Sequence, residues 1–155
     1  MIKIPRKINQ IGIVVKDLDK AVTIFKQILG IDNIQILERP PETCTLNGEE
    51  THFRLKTGFA MLEGLQIELI QVVQGRSPHS DFLENRGPGV NHFGYYVDDL
   101  ETEVTRATQS GIGVYARGEF MGSRWAYLDT FATAGIFQEF IQLPKPRVRA
   151  RLKKE

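Results

Sequence analysis

Four side chains with metal-binding groups occupy matching places in two similar stretches of the sequence. Gln10 and His92 each open a strand-like segment, and Glu68 and Glu139 each lie in a later strand-like segment. A carboxylate within an apolar strand is costly unless it is paired or bound to a cation. Each residue alone has an ordinary explanation, but their repeat-related positions together favour a shared metal site. Three oxygen ligands and one imidazole suit Zn²⁺, Co²⁺, Ni²⁺ or Mn²⁺ better than copper.

A metal held by these four side chains could assist the removal of a proton next to a carbonyl. Four protein ligands leave two octahedral positions for neighbouring substrate oxygens, on which the metal acts as a Lewis acid. A carboxylate beside the metal can accept the proton. Glu139 is the first candidate for this catalytic base and Glu68 is the second. Epimerisation also requires a second base, or one mobile base, that returns the proton on the other face.

An internal repeat would position these side chains. Residues 10–19 line up with residues 92–101, and both segments run from a strand into an acidic helix start, Asp-Leu-Asp or Asp-Leu-Glu. Helices are predicted over residues 20–30 and 102–111, and each ends at a glycine. A strand followed by a helix therefore occurs twice.

Three strand-like runs follow each predicted helix. They lie at residues 33–38, 50–55 and 59–73 in the first half, the last one split or bulged, and at 114–117, 124–129 and 135–142 in the second. The spacing in the first helix places Val22, Phe25 and Leu29 on one apolar face, which we expect to pack on the strands.

This order of elements predicts an α+β fold in which two βαβββ modules form a cupped mixed sheet around the metal site. The first module spans residues 7–74 and the second spans residues 90–143. A linker at residues 75–89, rich in turn-forming residues, joins them. Residues 144–155 form a basic tail that begins with proline, and we expect it to be a solvated end.

The composition excludes several classes of protein. With 155 residues, 41% of them hydrophobic and 25% charged, the chain is typical of a globular domain. The net charge of +1 gives no overall field for nucleic acid or an anionic membrane. The single cysteine, Cys44, excludes an internal disulfide and a cysteine-rich zinc site. No signal peptide or membrane-spanning run is present, so a cytoplasmic protein is expected.

The doubled pattern resembles the vicinal-oxygen-chelate superfamily. The resemblance rests on the openings Gln10-Ile-Gly-Ile-Val-Val and His92-Phe-Gly-Tyr-Tyr-Val-Asp-Asp and on the closing Gln138-Glu-Phe-Ile, and it covers about residues 7 to 143. This superfamily includes glyoxalase I, methylmalonyl-CoA epimerase, extradiol dioxygenases and antibiotic-resistance binding proteins. The resemblance implies a divalent metal bound by Gln10, Glu68, His92 and Glu139.

The linker looks most like that of the methylmalonyl-CoA epimerases, in which Ser-Pro, Phe-Leu and Gly-x-Gly precede the ligand histidine. This resemblance implies a metal-dependent epimerase or isomerase acting on an acyl-CoA thioester, and a homodimer. The epimerases usually have His and Gln where this chain has Gln10 and Glu68, which is instead the ligand set of many zinc glyoxalases. A further epimerase glutamate would fall at Glu49 or Glu50, and an interpretation of these two residues as exposed loop carboxylates stays equally open.

Three alternatives stay open to different degrees. A glyoxalase I-like lyase acting on a thiol hemithioacetal is one, but its glutathione-contact positions hold Val14, Val72 and Pro88 here. A dioxygenase would need two histidines and a carboxylate around iron, which Gln10 argues against. A metal-free drug-binding protein would not need both glutamates. Candidate cations for the phosphates of CoA are Lys56, Arg76, Arg86, Arg117, Arg124 and the tail arginines.

Overall fold

The computed structural model describes residues 7–146, which form nine strands and four helices. In chain order these are β1 (Gln10–Val14), α1 (Leu18–Leu29), β2 (Gln35–Glu38), β3 (Glu42–Leu46), β4 (Glu49–Leu62), β5 (Leu65–Gly75), α2 (Pro78–Arg86), β6 (Gly89–Tyr96), α3 (Leu100–Gln109), β7 (Val114–Phe120), β8 (Ser123–Leu128), α4 (Phe131–Ala134) and β9 (Phe137–Gln142). All of the basic tail beyond residue 146 lies outside the described residues.

Eight of these strands join into one closed, curved sheet. Its order is β1-β5-β4-β3-β7-β8-β9-β6, with β6 returning to β1, and β2 pairs with β4 outside this ring. The two halves meet at the antiparallel pair β1–β6 and again at the short antiparallel pair β3–β7. The parallel pairs β1–β5 and β6–β9 make the sheet mixed. The predicted α+β fold with a cupped mixed sheet is therefore confirmed.

The helices pack on the outer face of the sheet, which leaves the inner face for other side chains. On α1, Leu18 and Val22 contact Ile67 and Leu69, which point outward from β5. On α3, buried residues pack in the same way against β8 and β9. Because side chains alternate along a strand, the neighbours of Ile67 and Leu69 in β5 point into the cup. No helix within residues 7–146 has the length and apolar character needed to cross a membrane.

Both repeat-related helices begin as the acidic segments predicted. Asp17 caps α1 by accepting a hydrogen bond from the backbone N–H of Lys20, and Asp99 caps α3 through Thr102 in the same way. Gly30 ends α1 with a φ of 64°, a conformation that favours glycine. The expected apolar face is wrong at one end, however, because Leu29 is 49% exposed.

The strands of the first half differ from the prediction. The segment β3 was not predicted, although Asn47-Gly48 between β3 and β4 has the positive φ values of a tight hairpin turn. The predicted break between residues 55 and 59 is absent, because β4 runs unbroken to Leu62. The chain turns at Glu63-Gly64 instead, so residues 59–73 divide between β4 and β5.

The linker is also more ordered than its turn residues indicated, since it contains α2. Ser77 and Ser80 form a reciprocal capping box at the start of this helix, and Pro78 occupies its first turn. The residues that were interpreted as a loop signal are thus a helix start. His79 and Phe82 of α2 are buried, so the helix is part of the packed structure.

Candidate functional site

Four adjacent strands carry the predicted site residues onto the inner face of the cup. Gly12 of β1 pairs with Glu68 of β5 on one side and with His92 of β6 on the other. In the same register, Gly94 of β6 pairs with Gln10 and with Glu139 of β9. The structure thus brings all four predicted side chains together, two from each half. We refer to Gln10, Glu68, His92 and Glu139 as the polar cluster.

The polar cluster is compact and almost completely buried. His92 Nε2 lies 3.0 Å from Gln10 Oε1, 3.1 Å from Glu139 Oε2 and 3.7 Å from Glu68 Oε2. No member of the cluster exceeds 7% exposure. His92 is the fourth residue of β6 rather than the first, because β6 begins three residues earlier than predicted.

Two glycines make room for this convergence. A Cβ at Gly12 would lie 1.9 Å from Cε1 of His92, and a Cβ at Gly94 would lie 3.0 Å from the Cβ of Gln10. Each glycine therefore leaves space for the polar side chain of the opposite half. Gly12 and Gly94 belong to the repeated Ile-Gly-Ile and Phe-Gly-Tyr sequences, so the repeat contains both the polar residue and the space for its counterpart.

Neighbouring side chains fix which atoms of Gln10 and His92 face the centre of the cluster. The amide nitrogen of Gln10 donates to Gln66 Oε1 at 2.7 Å, which leaves Gln10 Oε1 facing His92. Asn91 Oδ1 lies 3.0 Å from His92 Nδ1 and Gln10 Oε1 lies 3.0 Å from His92 Nε2, and both oxygens can only accept, so the single proton of a neutral imidazole satisfies one of them. When Nδ1 carries the proton, the lone pair of Nε2 points at the oxygens of the cluster.

These contacts leave an unsatisfied carboxylate oxygen. Glu139 Oε2 is buried without a hydrogen-bond partner among the described residues, although it lies 3.1 Å from His92 Nε2. The approach lacks hydrogen-bond geometry, and Nε2 has no proton to donate in the tautomer with the proton on Nδ1, which is the one that can bind a metal through Nε2. Acceptor atoms thus face one another, an arrangement that is costly in a buried site unless a cation or a proton lies between them.

Burial shifts the titration of the cluster towards neutral forms. Desolvation raises the pKa of Glu68 to about 7, and the positive charge of Arg39 only partly opposes this. Desolvation and the nearby Glu68 raise the pKa of Glu139 well above its usual value. Desolvation lowers the pKa of His92 to about 3. His92 is therefore a neutral imidazole near neutral pH, the form that can bind a metal.

Three members of the polar cluster, Gln10, Glu68 and Glu139, form one wall of a cavity of about 230 Å³ inside the cup, and His92 lies behind them. The other walls are mostly aromatic and aliphatic, with Phe53, Leu55, Phe120, Trp125 and Ile141 among them. The volume lies below the roughly 300–1,000 Å³ of sites that enclose a drug-sized ligand. The cavity therefore has space for a small acyl group but not for a nucleotide.

Two charged residues in this cavity were not predicted from the sequence. Arg39 precedes β3 and Glu42 begins it, and both are buried at the cavity wall. Arg39 Nε donates to Glu42 at 2.7 Å, and Arg39 Nη1 lies 3.6 Å from Glu68 Oε1. By contrast, Glu50, where a further glutamate was expected, is 72% exposed and lies 3.5 Å from His52. Glu49 is exposed as well, and neither glutamate lines the cavity, in agreement with the interpretation of both as exposed carboxylates.

Comparison with known proteins identifies the family. A model of the Glyoxalase/Bleomycin resistance protein/Dioxygenase superfamily matches residues 9–127. The chain belongs to this superfamily. An ethylmalonyl-CoA/methylmalonyl-CoA epimerase of Cereibacter sphaeroides is 27% identical over 114 residues, which cover 73% of this chain and 77% of that protein.

Solved structures of methylmalonyl-CoA epimerases have the same fold. The enzyme from Mycobacterium tuberculosis is 22% identical, with a TM-score of 0.63 over 92% of this chain and 90% of that one. A variant of the Streptomyces coelicolor enzyme in complex with 2-nitronate-propionyl-CoA is 19% identical, with a TM-score of 0.62 over 90% of this chain and 96% of that one.

The residues of this superfamily member fit a divalent cation in several respects. Two ligands at right angles, each about 2.1 Å from one metal, lie about 3.0 Å apart, which matches the two shorter contacts of His92 Nε2. With Arg39 neutralising Glu42, ionised Glu68 and Glu139 would leave two negative charges. Yet no three His, Cys, Asp and Glu side chains within residues 7–146 form a metal centre by themselves. The amide of Gln10 is thus needed, and Glu68 would have to move closer to His92.

A buried network behind His92 was also missed by the sequence prediction. Tyr127 OH lies 3.1 Å from His92 Nδ1 and 2.9 Å from His79 Nε2. Asn91 and Tyr127 thus both hold the side of the imidazole that faces away from the polar cluster. His79 comes from α2, so the segment that joins the halves supports the orientation of His92.

The surface cations proposed for phosphate binding do not line the cavity. Lys56 pairs with Asp19, Arg76 with Asp81, and Arg117 and Arg124 both with Glu101. Arg86 lies over the ring of Phe131. Arg39 is the only lysine or arginine of the described residues that lines the cavity.

Proposed function

We propose that this protein is a metal-dependent epimerase or isomerase that moves a proton next to the carbonyl of an acyl-CoA thioester. One observation carries the proposal: Gln10, Glu68, His92 and Glu139 converge from both halves with acceptor atoms facing one another. This arrangement lies at the wall of a cavity of acyl-group size. The cluster has the electron pairs for a cation, and the cavity has the space for its substrate.

The relatives support the choice of substrate. The Cereibacter sphaeroides protein is named an ethylmalonyl-CoA/methylmalonyl-CoA epimerase, and the Streptomyces coelicolor structure contains an acyl-CoA analogue. At 27% identity the first supports a class of reaction rather than one acyl group. We therefore propose a thioester with an acidic proton next to its carbonyl.

In this mechanism the two glutamates transfer protons at opposite faces of the substrate carbon. A divalent cation bound at the polar cluster would supply Lewis-acid stabilisation of the negative charge on the carbonyl oxygen. Glu139 takes the proton from the carbon, and the C–H electron pair moves towards the carbonyl oxygen. Glu139 then releases its proton to solvent, and Glu68, which approaches His92 from the other half, would take a proton from solvent, leave the cation while it carries that proton, and return it to the opposite face. The raised pKa of Glu68, about 7, places it in the range where a carboxyl group both gives and accepts a proton near neutral pH.

Metal analysis and proton exchange test this proposal. Purified protein is analysed for bound metal, loaded with Zn²⁺, Co²⁺, Ni²⁺ or Mn²⁺, and incubated in D₂O with methylmalonyl-CoA or with the methylglyoxal–glutathione hemithioacetal. We expect deuterium to enter methylmalonyl-CoA next to its carbonyl. Exchange only in the hemithioacetal would support the glyoxalase-type lyase instead. Absence of metal binding would support a metal-free binding protein.

A further inference from the structure

Arg39 is an unusual residue to find buried in the wall of a mostly apolar cavity. It is 9% exposed, and Glu42 accepts hydrogen bonds from its Nε and Nη2 atoms at 2.7 and 2.5 Å. The ring of Phe120 lies 3.5 Å from its guanidinium carbon. A buried ion pair rarely stabilises a fold more than apolar side chains of similar size would. The stability of the fold therefore does not explain the buried Arg39–Glu42 ion pair.

The guanidinium has donors that the fold does not use. Glu42 occupies Nε and Nη2, whereas Nη1 makes no hydrogen bond to any described residue and has only Glu68 Oε1 near it, at 3.6 Å. Phe120 and Glu42 hold the guanidinium plane in place, so these free donors are oriented in advance. A fixed guanidinium with two free N–H groups is a receptor for an oxygen anion.

Glu68 shows what size of group fits between Arg39 and the polar cluster. One of its oxygens faces Arg39 Nη1 at 3.6 Å, and the other lies 3.7 Å from His92 Nε2. A single carboxylate thus spans the interval between the guanidinium and the centre of the cluster. A carboxylate of a bound substrate could take this place once Glu68 moves closer to His92, the movement that a cation at the polar cluster would require.

We propose that Arg39 determines substrate specificity by binding a free carboxylate on the acyl group, so that the protein prefers malonyl-type thioesters to simple acyl thioesters. The inference rests on the proposed function. Glu42, Glu68 and Glu139 line the cavity and would repel an anionic acyl group, and Arg39 is the one lysine or arginine of the described residues that lines the cavity and opposes this repulsion. Without it, a neutral acyl group would be favoured.

Binding of malonyl-CoA and of acetyl-CoA to the metal-loaded protein, measured by calorimetry, tests the proposal. Wild type should bind malonyl-CoA at least about 10-fold more tightly. The double variant Arg39→Met, Glu42→Gln removes both charges and keeps both sizes. It should weaken malonyl-CoA binding by about 10-fold or more, the loss typical of a hydrogen bond to a charged group, and change acetyl-CoA binding by less than about 3-fold. Equal binding of the two ligands by wild type, or equal loss of both in the double variant, overturns the proposal.

A matched single variant separates recognition from folding. Glu42→Gln keeps the guanidinium and removes its internal partner, so malonyl-CoA should still be preferred to acetyl-CoA. If the ion pair only supports the fold, this variant should lose both ligands to the same extent. Deuterium exchange distinguishes the two proposals. If wild type prefers malonyl-CoA but exchanges no proton, the proposed role of Arg39 is supported and the proposed epimerase function is contradicted.

Discussion

Glu139 and His92 both face the centre of the polar cluster, but substitutions of the two residues should affect metal binding and proton exchange differently. Glu139→Gln keeps an oxygen that can bind a metal but removes the basic carboxylate, so metal should be retained and proton exchange should fall by about 100-fold or more. His92→Ala removes the only nitrogen of the cluster that could bind a metal, so metal affinity should fall as well. Metal content and deuterium exchange of both variants measure this difference. Full exchange by Glu139→Gln would move the base to Glu68.

Gln66 should act on metal binding without touching the metal. Its side chain accepts the hydrogen bond of the Gln10 amide at 2.7 Å and thereby turns Gln10 Oε1 into the cluster. Gln66→Met removes this acceptor at similar size, and metal affinity should fall by about 10-fold or more, as with other residues that orient metal ligands. Gln66→Glu keeps an acceptor and should keep the affinity. Calorimetry with Zn²⁺ measures both variants, and equal affinities would show that Gln10 needs no such support.

The polar cluster could be predicted because its residues occupy repeated positions in the two halves of the chain. The rest of the site could not be predicted, because its residues belong to one half only. Gln10 and His92 are found by aligning the two halves of the chain, and Glu68 and Glu139 follow. Arg39 lies in a connection of the first half that has no counterpart in the second. Its position at the cavity depends on how β3 and β4 fold back on each other, and no local pattern in the sequence indicates this.

At the scale of the strand, the approach of β1 to β6 depends on Gly12. A Cβ there would lie 1.9 Å from the imidazole of His92, so Gly12→Ala should displace this ring. We expect a destabilisation of about 1–3 kcal/mol, as for other overpacked sites, together with loss of metal affinity. Gly113→Ala is the control, because its nearest non-local atom is 4.0 Å away. Denaturant unfolding and metal calorimetry compare them, and similar behaviour of the two variants would contradict the close approach.

Two elements were missed although the sequence contains their signals. Asn47-Gly48 is a strong hairpin signal, and it would have indicated β3 before β4. Ser77-Pro78 followed by Ser80 is a helix start, but it lies in a segment that also contains Gly and Pro, so its turn residues dominated the interpretation. The unbroken course of β4 had no such signal, because its continuity comes from pairing with β2, β3 and β5.

For the whole molecule, a cation at the polar cluster would connect the two halves and should raise the free energy of unfolding. A cation at 100 times its dissociation constant should add about 2.7 kcal/mol. Its binding requires the ionised form of Glu68, whose pKa is about 7, so affinity should rise between pH 6 and pH 8. Thermal unfolding with and without Zn²⁺ at both values measures the effect. A larger stabilisation at pH 6 than at pH 8 would contradict it.

The same raised pKa has the opposite effect on the metal-free protein. The protein folds more favourably when Glu68 is protonated. The contribution of Glu68 to the free energy of unfolding is therefore complete below pH 4.5 and is lost as the pH rises through about 7. Chelator-treated protein measures this contribution in a comparison of wild type with Glu68→Gln. The difference in unfolding free energy should increasingly favour the variant between pH 4.5 and about pH 7 and should level off above pH 7. A difference that does not depend on pH would contradict a buried Glu68 carboxyl group with a raised pKa.

The correspondence between Gln10, Gly12 and Glu68 in one half and His92, Gly94 and Glu139 in the other has a consequence for symmetry. Two unlinked copies of one module would have to present the same side chain twice, because every mutation would appear in both copies. Joining both modules in a single chain removes this obligation. The glutamates and glycines stay alike, whereas an amide stands on one side and an imidazole on the other. Mutation can therefore change the side chains that contact one face of a chiral ligand and leave those on the other face unchanged.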